Sequence, residues 1–322
     1  MTETRRDIRL YLPVYIIVLI VYLVAGFMSR DFFTWRNNVN LFSRVTPLIL
    51  AGLAQTFVIL GGGIDLSIGS MISLTCVIAA SLPFVDTAAN VVLWAICPPL
   101  AGAFLGLING LIIGKLKFPP FIVTLSTSTI YLGVALFILP QPGGEVSMAA
   151  AAFIGGSFLG VPIPLIIFLT FVLACHLIAT RTSIGRSIYA VGGDENIALQ
   201  SGIHVARVKE VSYMLCGLLC GCAGSYQSAW MFSADPLVGE PYVMNSIAVA
   251  VIGGTALTGG RGGVVGVIGG AYIFYLINNI LNLLAISTFY QYIAKGLILI
   301  AALVISSPKI TARFRRTRRR AV

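Results

Sequence analysis

Charge is scarce in this chain of 322 residues: only 10% are Asp, Glu, Lys or Arg, against about 25% in an ordinary soluble domain. With 58% of the residues hydrophobic, the shortage excludes a soluble globular protein and points to a chain that crosses a membrane several times. Histidine occurs only at His176 and His204, neither with a carboxylate at ligand spacing, which removes an intramembrane metalloenzyme of the H-E-x-x-H kind. No G-x-x-x-x-G-K-[ST] loop is present, so nucleotide-driven work would need its ATPase on another chain. Long polar segments are missing too. The largest, 29–45, 140–161, 181–208 and the C-terminal stretch, cannot hold a soluble catalytic domain.

What the chain does have is a succession of apolar runs. A helix needs roughly 20 such residues to cross the hydrocarbon core, and ten runs qualify, at 10–28, 46–61, 66–83, 91–114, 120–139, 162–180, 209–231, 243–258, 264–284 and 290–306. Stretches such as "PLIIFLTFVLACHLIA" lack the alternation of a barrel strand. The expected fold is therefore all-α, a polytopic membrane protein of about ten transmembrane helices forming one membrane domain over 1–322. "MTETRRDIR" resembles the start of a signal peptide, but no small-residue cleavage site follows the apolar run behind it. That run reads as a retained anchor.

Orientation follows from the cations, because short cytoplasmic segments collect Lys and Arg. With both the N- and C-termini cytoplasmic, most of the 21 basic residues fall inside, among them Lys115, Lys117, Arg181, Arg186, Arg207, Lys209, Arg261 and the tail at 307–322. The outer segments then hold Asp86, Glu145, Asp235 and Glu240. The net charge of +10 thus describes topology rather than nucleic-acid binding: "RFRRTRRR" reads first as a solvated tail that fixes orientation, and it also suits anionic lipid headgroups or an acidic partner face. Lys295 lies near the outer end of the last span, where snorkelling to the headgroups explains it and a gating or docking role is the alternative. The six cysteines sit almost entirely within spans and read as small packing residues, not as a metal set.

Glycine is abundant, 34 residues in all, much of it inside spans, where it permits close helix packing and breaks at membrane depth. "GGIDLSIG" at 62–69 echoes "GGTALTGG" at 253–260, which leaves either a misplaced span boundary or a chance match. Gly62, Gly63, Asp65, Ser67, Gly253 and Gly254 are candidates for structural breaks and caps. Asp65 reads better as a cap on free amides at a helix start than as an ion-coupling carboxylate. Uncharged polar residues within spans, Gln55, Asn109, Thr124, Ser126, Thr127, Asn245, Asn278 and Asn279, either line a pathway or bond helix to helix. Such lining fits a neutral polyol.

The cytoplasmic loop 181–208 contains "GGDENIALQSGI". It reads as a short helix entered at Gly192 and Gly193, capped by Asp194, and ended at Ser201 and Gly202. Five motifs, "LGGGIDLSIGS", "KFPPFIVTLST", "GRSIYAVGGDENIALQSGI", "VIGGTALTGGRGGVVGVIGG" and "NNILNLL" with "YQYIAKGLILI", resemble in order and spacing those of one family. It comprises the permease subunits of ribose, xylose, arabinose and galactose type ATP-binding cassette sugar importers, and includes autoinducer-2 permeases. The similarity runs from about residue 47 to 305.

The resemblance implies a permease in the bacterial cytoplasmic membrane with no ATPase site or cofactor of its own. It further implies partner ATPase subunits carrying ATP and Mg, a second permease, identical or sister, and a binding protein outside that delivers a small neutral sugar. It places ATPase coupling on Gly192, Gly193, Asp194, Glu195, Asn196, Ile197, Ala198, Ser201, Gly202 and Ile203. The sequence departs from the family in having Asn196 and Ile197 where alanines are usual, and Ser126 where glycine is common. The alternative class is an ion-coupled secondary transporter of a small neutral solute, for which one chain would suffice and Asp65 would be the carboxylate in question.

Overall fold

The computed structural model describes residues 3–28, 32–82, 88–287, 289–294, 296, 297 and 300. Lys295, Asp86, the far end of the tenth run and the tail at 307–322 lie outside the described residues.

Twelve helices are described in full: α1 (Glu3–Met28), α2 (Trp35–Leu60), α3 (Ile68–Ala80), α4 (Ala88–Lys115), α5 (Pro120–Ile138), α6 (Met148–Gly155), α7 (Ile163–Arg181), α8 (Ser183–Gly193), α9 (Glu195–Gln200), α10 (Val205–Met231), α11 (Glu240–Ile252) and α12 (Val264–Leu283). Between α6 and α7 a small antiparallel hairpin pairs β1 (Ser157–Phe158) with β2 (Val161–Pro162). Helices α2, α4, α5, α7 and α12 are each long and apolar enough to cross a bilayer.

Helix α2 is the buried centre of the bundle, with every residue from Val45 to Leu60 buried. It starts eleven residues ahead of the apolar run at 46–61. Thr34 accepts the Asn37 amide at 3.3 Å, and the Asn37 side chain donates to Phe32 O at 2.8 Å. These bonds start a helix whose polar first turns no hydropathy criterion detects. Helices α3 and α11 have 13 residues each, about 20 Å of rise, too short to cross a core of about 30 Å alone.

Both short helices adjoin a break, and α2 and α11 end in the same way. Gly62 N donates to Ile59 O and Gly63 N to Val58 O, both at 2.9 Å. Gly254 N donates to Val251 O and Thr255 N to Ala250 O, also at 2.9 Å. With Gly62 at φ +83° and Gly254 at φ +88°, each end is a Schellman turn, which needs a residue in the left-handed region. The echo between the two glycine segments is thus structural, but its register is Gly61–Gly63 on Gly253–Thr255, one residue away from the string match.

The most extensive helix contact among the described residues is α4 against α10. Gly102, Gly106, Gly110 and Gly114 recur every four residues along one face of α4 and meet α10 backbone. A Cβ at Gly106 would strike Tyr213 O, one at Gly102 would strike Gly217 O, and one at Gly110 or Gly114 would lie 2.7 Å from Glu210 Cα or Ala206 O. Gly217 and Gly221 reciprocate against Gly102 and Pro98. Apolar burial gives helices little drive to associate in lipid, so this approach supplies dispersion contacts that larger residues would prevent.

We predict that Gly106→Ala destabilises the purified protein by about 1–3 kcal/mol through overpacking. Gly133→Ala on α5, where a Cβ meets nothing within 4 Å, leaves it unchanged. Thermal unfolding in detergent, followed by size-exclusion chromatography, compares the two; equal melting would refute the packing argument.

Candidate functional site

Three glycine segments converge at one end of the bundle. The Schellman turn after α2, the C-terminus of α8 and the loop 253–263 meet backbone to backbone. Gly260 N donates to Leu60 O at 3.1 Å, and Tyr189 Oη of α8 donates to Gly262 O at 2.9 Å. A Cβ at Gly192 would strike Leu60 O and lie 2.8 Å from Gly260 N; one at Gly260 would lie 2.6 Å from Gly193 Cα.

Asp194 follows directly. It closes α8 and starts α9, its Oδ1 accepting from Asn196 N at 2.9 Å and Ile197 N at 3.0 Å. Gly202, at φ +81°, ends the turn. Gly192 and Gly193 therefore do not enter the short helix, as their position in the sequence led us to expect: they are the last residues of α8, and Gly192 packs into the bundle because only a glycine fits against Leu60. On α9 itself Glu195 and Asn196 are exposed and Ile197 and Leu199 are each 62% exposed, whereas Ala198 is buried. Leu199, an apolar side chain open to the surface, escaped the sequence reading. Glu195 pairs with Lys209 at 2.8 Å, which fixes α9 to the first turn of α10. Ser201 and Gly202 are exposed and Ile203 is half-buried.

The other side of the α2 break holds Asp65, which is fully buried. Its Oδ1 accepts from Ser67 N at 2.8 Å and Ser67 Oγ at 2.6 Å. Its Oδ2 lies 3.6 Å from the Cys216 Sγ donor on α10. Asn109 Nδ2 of α4 donates to Ser67 Oγ at 2.8 Å, and Tyr131 Oη of α5 lies 3.3 Å from Asn109 Oδ1. The cap reading is corrected in detail: Asp65 holds the amide of Ser67, the residue before α3, instead of amides within α3. Among the described residues the two ion pairs are Lys115–Glu210 and Lys209–Glu195, and neither reaches Asp65.

The polar residues named from the sequence separate into distinct groups. Asn109 belongs to the Asp65 network, and Thr124 Oγ1 joins its edge by a 3.5 Å bond to Ile64 O. Ser126 and Thr127 return their hydroxyls to their own helix, at Ile122 O and Val123 O, with Ser126 exposed. Asn278 donates to Phe274 O at 2.7 Å while its Oδ1 has no partner; Asn279 is half-buried. Gln55 is fully buried with neither side-chain polar atom bonded. Asn245 lines a cavity between α11 and α12.

With this geometry in hand, comparison with known proteins is decisive. Residues 37–303 match the family model described as branched-chain amino acid transport system / permease component. The chain belongs to this permease family. The permease is 39% identical over 302 residues to the ribose import permease protein RbsC of Bacillus subtilis, covering 93% of this chain and 92% of that one. It is 36% identical over 300 residues to RbsC of Escherichia coli K12, covering 91% and 92%. It is 34% identical over 297 residues to the D-allose transport system permease protein AlsC of the same strain, covering 90% of each. No solved structure matches the permease.

The hydrogen bonds around Asp65 set an order of tolerance. Asp65→Asn retains an acceptor for Ser67, whereas Asp65→Leu strands buried donors at about 1–3 kcal/mol each. The expected result is a folded Asn variant and a Leu variant with a clearly lower melting temperature in detergent. Equal melting of the two would refute the network as a structural support.

Proposed function

We propose that the chain is the membrane-spanning subunit of an ATP-driven importer of a neutral monosaccharide or related small polyol. The observation that carries this reading is the full-length similarity to permeases whose names specify ribose and D-allose. In this reading the permease crosses the bacterial cytoplasmic membrane ten times with both termini inside. It pairs with a second permease, identical or sister, and receives sugar from a binding protein on the outer face. ATPase subunits holding ATP and Mg dock on the inner face, where α9 projects Ile197 and Leu199. Lys115 and Lys117, between α4 and α5, share a cleft with Arg207, Lys209 and Glu195, Asn196 and Leu199 of α9, and Arg181 and Arg186 lie where α7 passes into α8, the distribution expected of a cytoplasmic face.

The mechanism follows from the glycine junction. Closure of an ATPase pair would displace α9, and Asp194 joins α9 to α8 without a linker. Because α8 touches the end of α2 and Gly259 and Gly260 through backbone, its displacement reaches the α2 turn and the loop after α11 together. Packed backbone of this kind has no compliant side chain to absorb the shift, so the movement is transmitted as a rigid-body change between two packings. The ion-coupled alternative needs a carboxylate open to a pathway; Asp65 is sealed by its own hydrogen bonds.

Reconstitution tests the reading. In proteoliposomes containing the permease, its ATPase and its binding protein, ribose, allose or arabinose should enter only with ATP, and import by the permease alone would overturn the proposal. Introducing Ile197→Asp together with Leu199→Asp should reduce co-purification of the ATPase several-fold while membrane insertion and melting temperature persist. Undiminished association would remove α9 as the docking element.

A further inference from the structure

A cavity of about 380 Å³ lies between α11, α12 and the helical residues 289–294, lined by Glu240, Asn245, Phe274 and Tyr292 among others. Its volume falls at the small end of the range for small-molecule sites, about 300–1,000 Å³. Pro241, Met244, Asn245 and Ala248 contribute the α11 wall, the i, i+3, i+4, i+7 face of one helix. From Glu240 to Ala248 the wall descends about 12 Å. Ala248 and Phe274, both buried, close the floor. Since α11 runs from Glu240 toward the glycine junction, the mouth opens at the end of the bundle away from α9.

Two polar groups stand on this wall, the exposed Glu240 carboxylate and the half-buried Asn245 amide. Among the described residues, neither the Glu240 carboxylate nor the Asn245 amide makes a hydrogen bond or ion pair. A glutamate in a first helical turn is favoured by the helix dipole alone, but that does not account for Asn245, more than a turn deeper. A polar side chain at membrane depth without an internal partner faces water or a ligand. Carboxylate and amide both engage hydroxyl groups, the carboxylate as acceptor only and the amide as donor and acceptor. The ring of Tyr292 adds an aromatic surface for the C–H edges of a sugar ring.

We infer that this cavity is a subsite for one neutral monosaccharide on the side of the membrane opposite α9, with Glu240 and Asn245 bonding its hydroxyls and Tyr292 against its ring. The inference rests on the sugar-importer reading and specifies where sugar is held. Among the described lining residues none is a cation, and the Glu240 carboxylate repels an anion placed beside it. An acyl chain would leave the half-buried Asn245 amide unsatisfied.

The test places a thiol on the wall by Met244→Cys and follows its modification by an uncharged methanethiosulfonate in full-length protein, in detergent and in lipid nanodiscs. The six native cysteines are buried or half-buried, and the parent protein gives their background. Millimolar ribose, allose or arabinose should slow modification several-fold. Added Glu240→Gln or Asn245→Ala should abolish that protection while the rate without sugar and the melting temperature remain those of the single variant. Absence of protection by all three sugars overturns the subsite even where the reconstituted complex imports sugar. Failure of import instead strikes the functional reading. Equal protection by gluconate or valine overturns the ligand class, and a thiol blocked in nanodiscs regardless of sugar shows lipid in the cavity and overturns the proposal.

Discussion

The backbone contact between α4 and α10 is the constraint on which the rest of the structure depends. In water two helices are driven together by the apolar area they bury, but in lipid the solvent is as apolar as the side chains, and shape has to supply the attraction. Gly102, Gly106, Gly110 and Gly114 bring α4 within reach of α10 backbone over four successive turns. The consequence is positional. Fixing α10 sets Cys216 against Asp65 at the α2 break, and it sets the first turn of α10, with Lys209, against Glu195 on α9. One rigid helix thus connects the surface knob to the buried break.

The break itself shows how a buried acid is held without a cation. Removing a polar group from water is costly unless hydrogen bonds replace the lost solvation. Asp65 has three donors within reach, the Ser67 amide, the Ser67 hydroxyl and the Cys216 thiol, and Asn109 in turn bonds the Ser67 hydroxyl. The network joins the 61–67 loop to α4 and α10. The left-handed glycine at each Schellman turn then lets the chain leave α2 and α11 at a sharp angle, and Gly192 of α8 packs against the end of α2 and against Gly259 and Gly260 of the loop that follows α11. A methyl group at Gly192 would have to displace backbone, not a flexible side chain.

Much of this was legible in the sequence because its signals are local. Nine of the ten apolar runs coincide with described helices, and the glycines at 61–63 and 253–254 mark breaks through conformations that L side chains rarely adopt. The missed parts are non-local or polar. The first turns of α2 carry Arg36, Asn37 and Asn38, and their helix is set by side-chain bonds to Phe32 O and Thr34 O, to which hydropathy is blind. The four-residue glycine spacing on α4 stands in the sequence, but its partner face on α10 runs through Ala206, Glu210, Tyr213, Gly217 and Gly221, a set that shares no motif with it. Nor does sequence proximity announce that Asn109 meets Ser67, 42 positions away.

Hydrogen-bond satisfaction sorts the polar residues that composition alone had placed together. An amide whose capacity is already used within the fold has little left for a ligand, and Asn109, bonded to Ser67 and Tyr131, is such a residue. Asn245 makes no hydrogen bond among the described residues and lies in an open cavity. Gln55 is a third case: both its polar atoms are unbonded, yet it is fully buried on α2. Leaving a buried amide unpaired costs about 1–3 kcal/mol, so Gln55 is held in place against that cost by the apolar packing that buries α2 on every side from Val45 to Leu60.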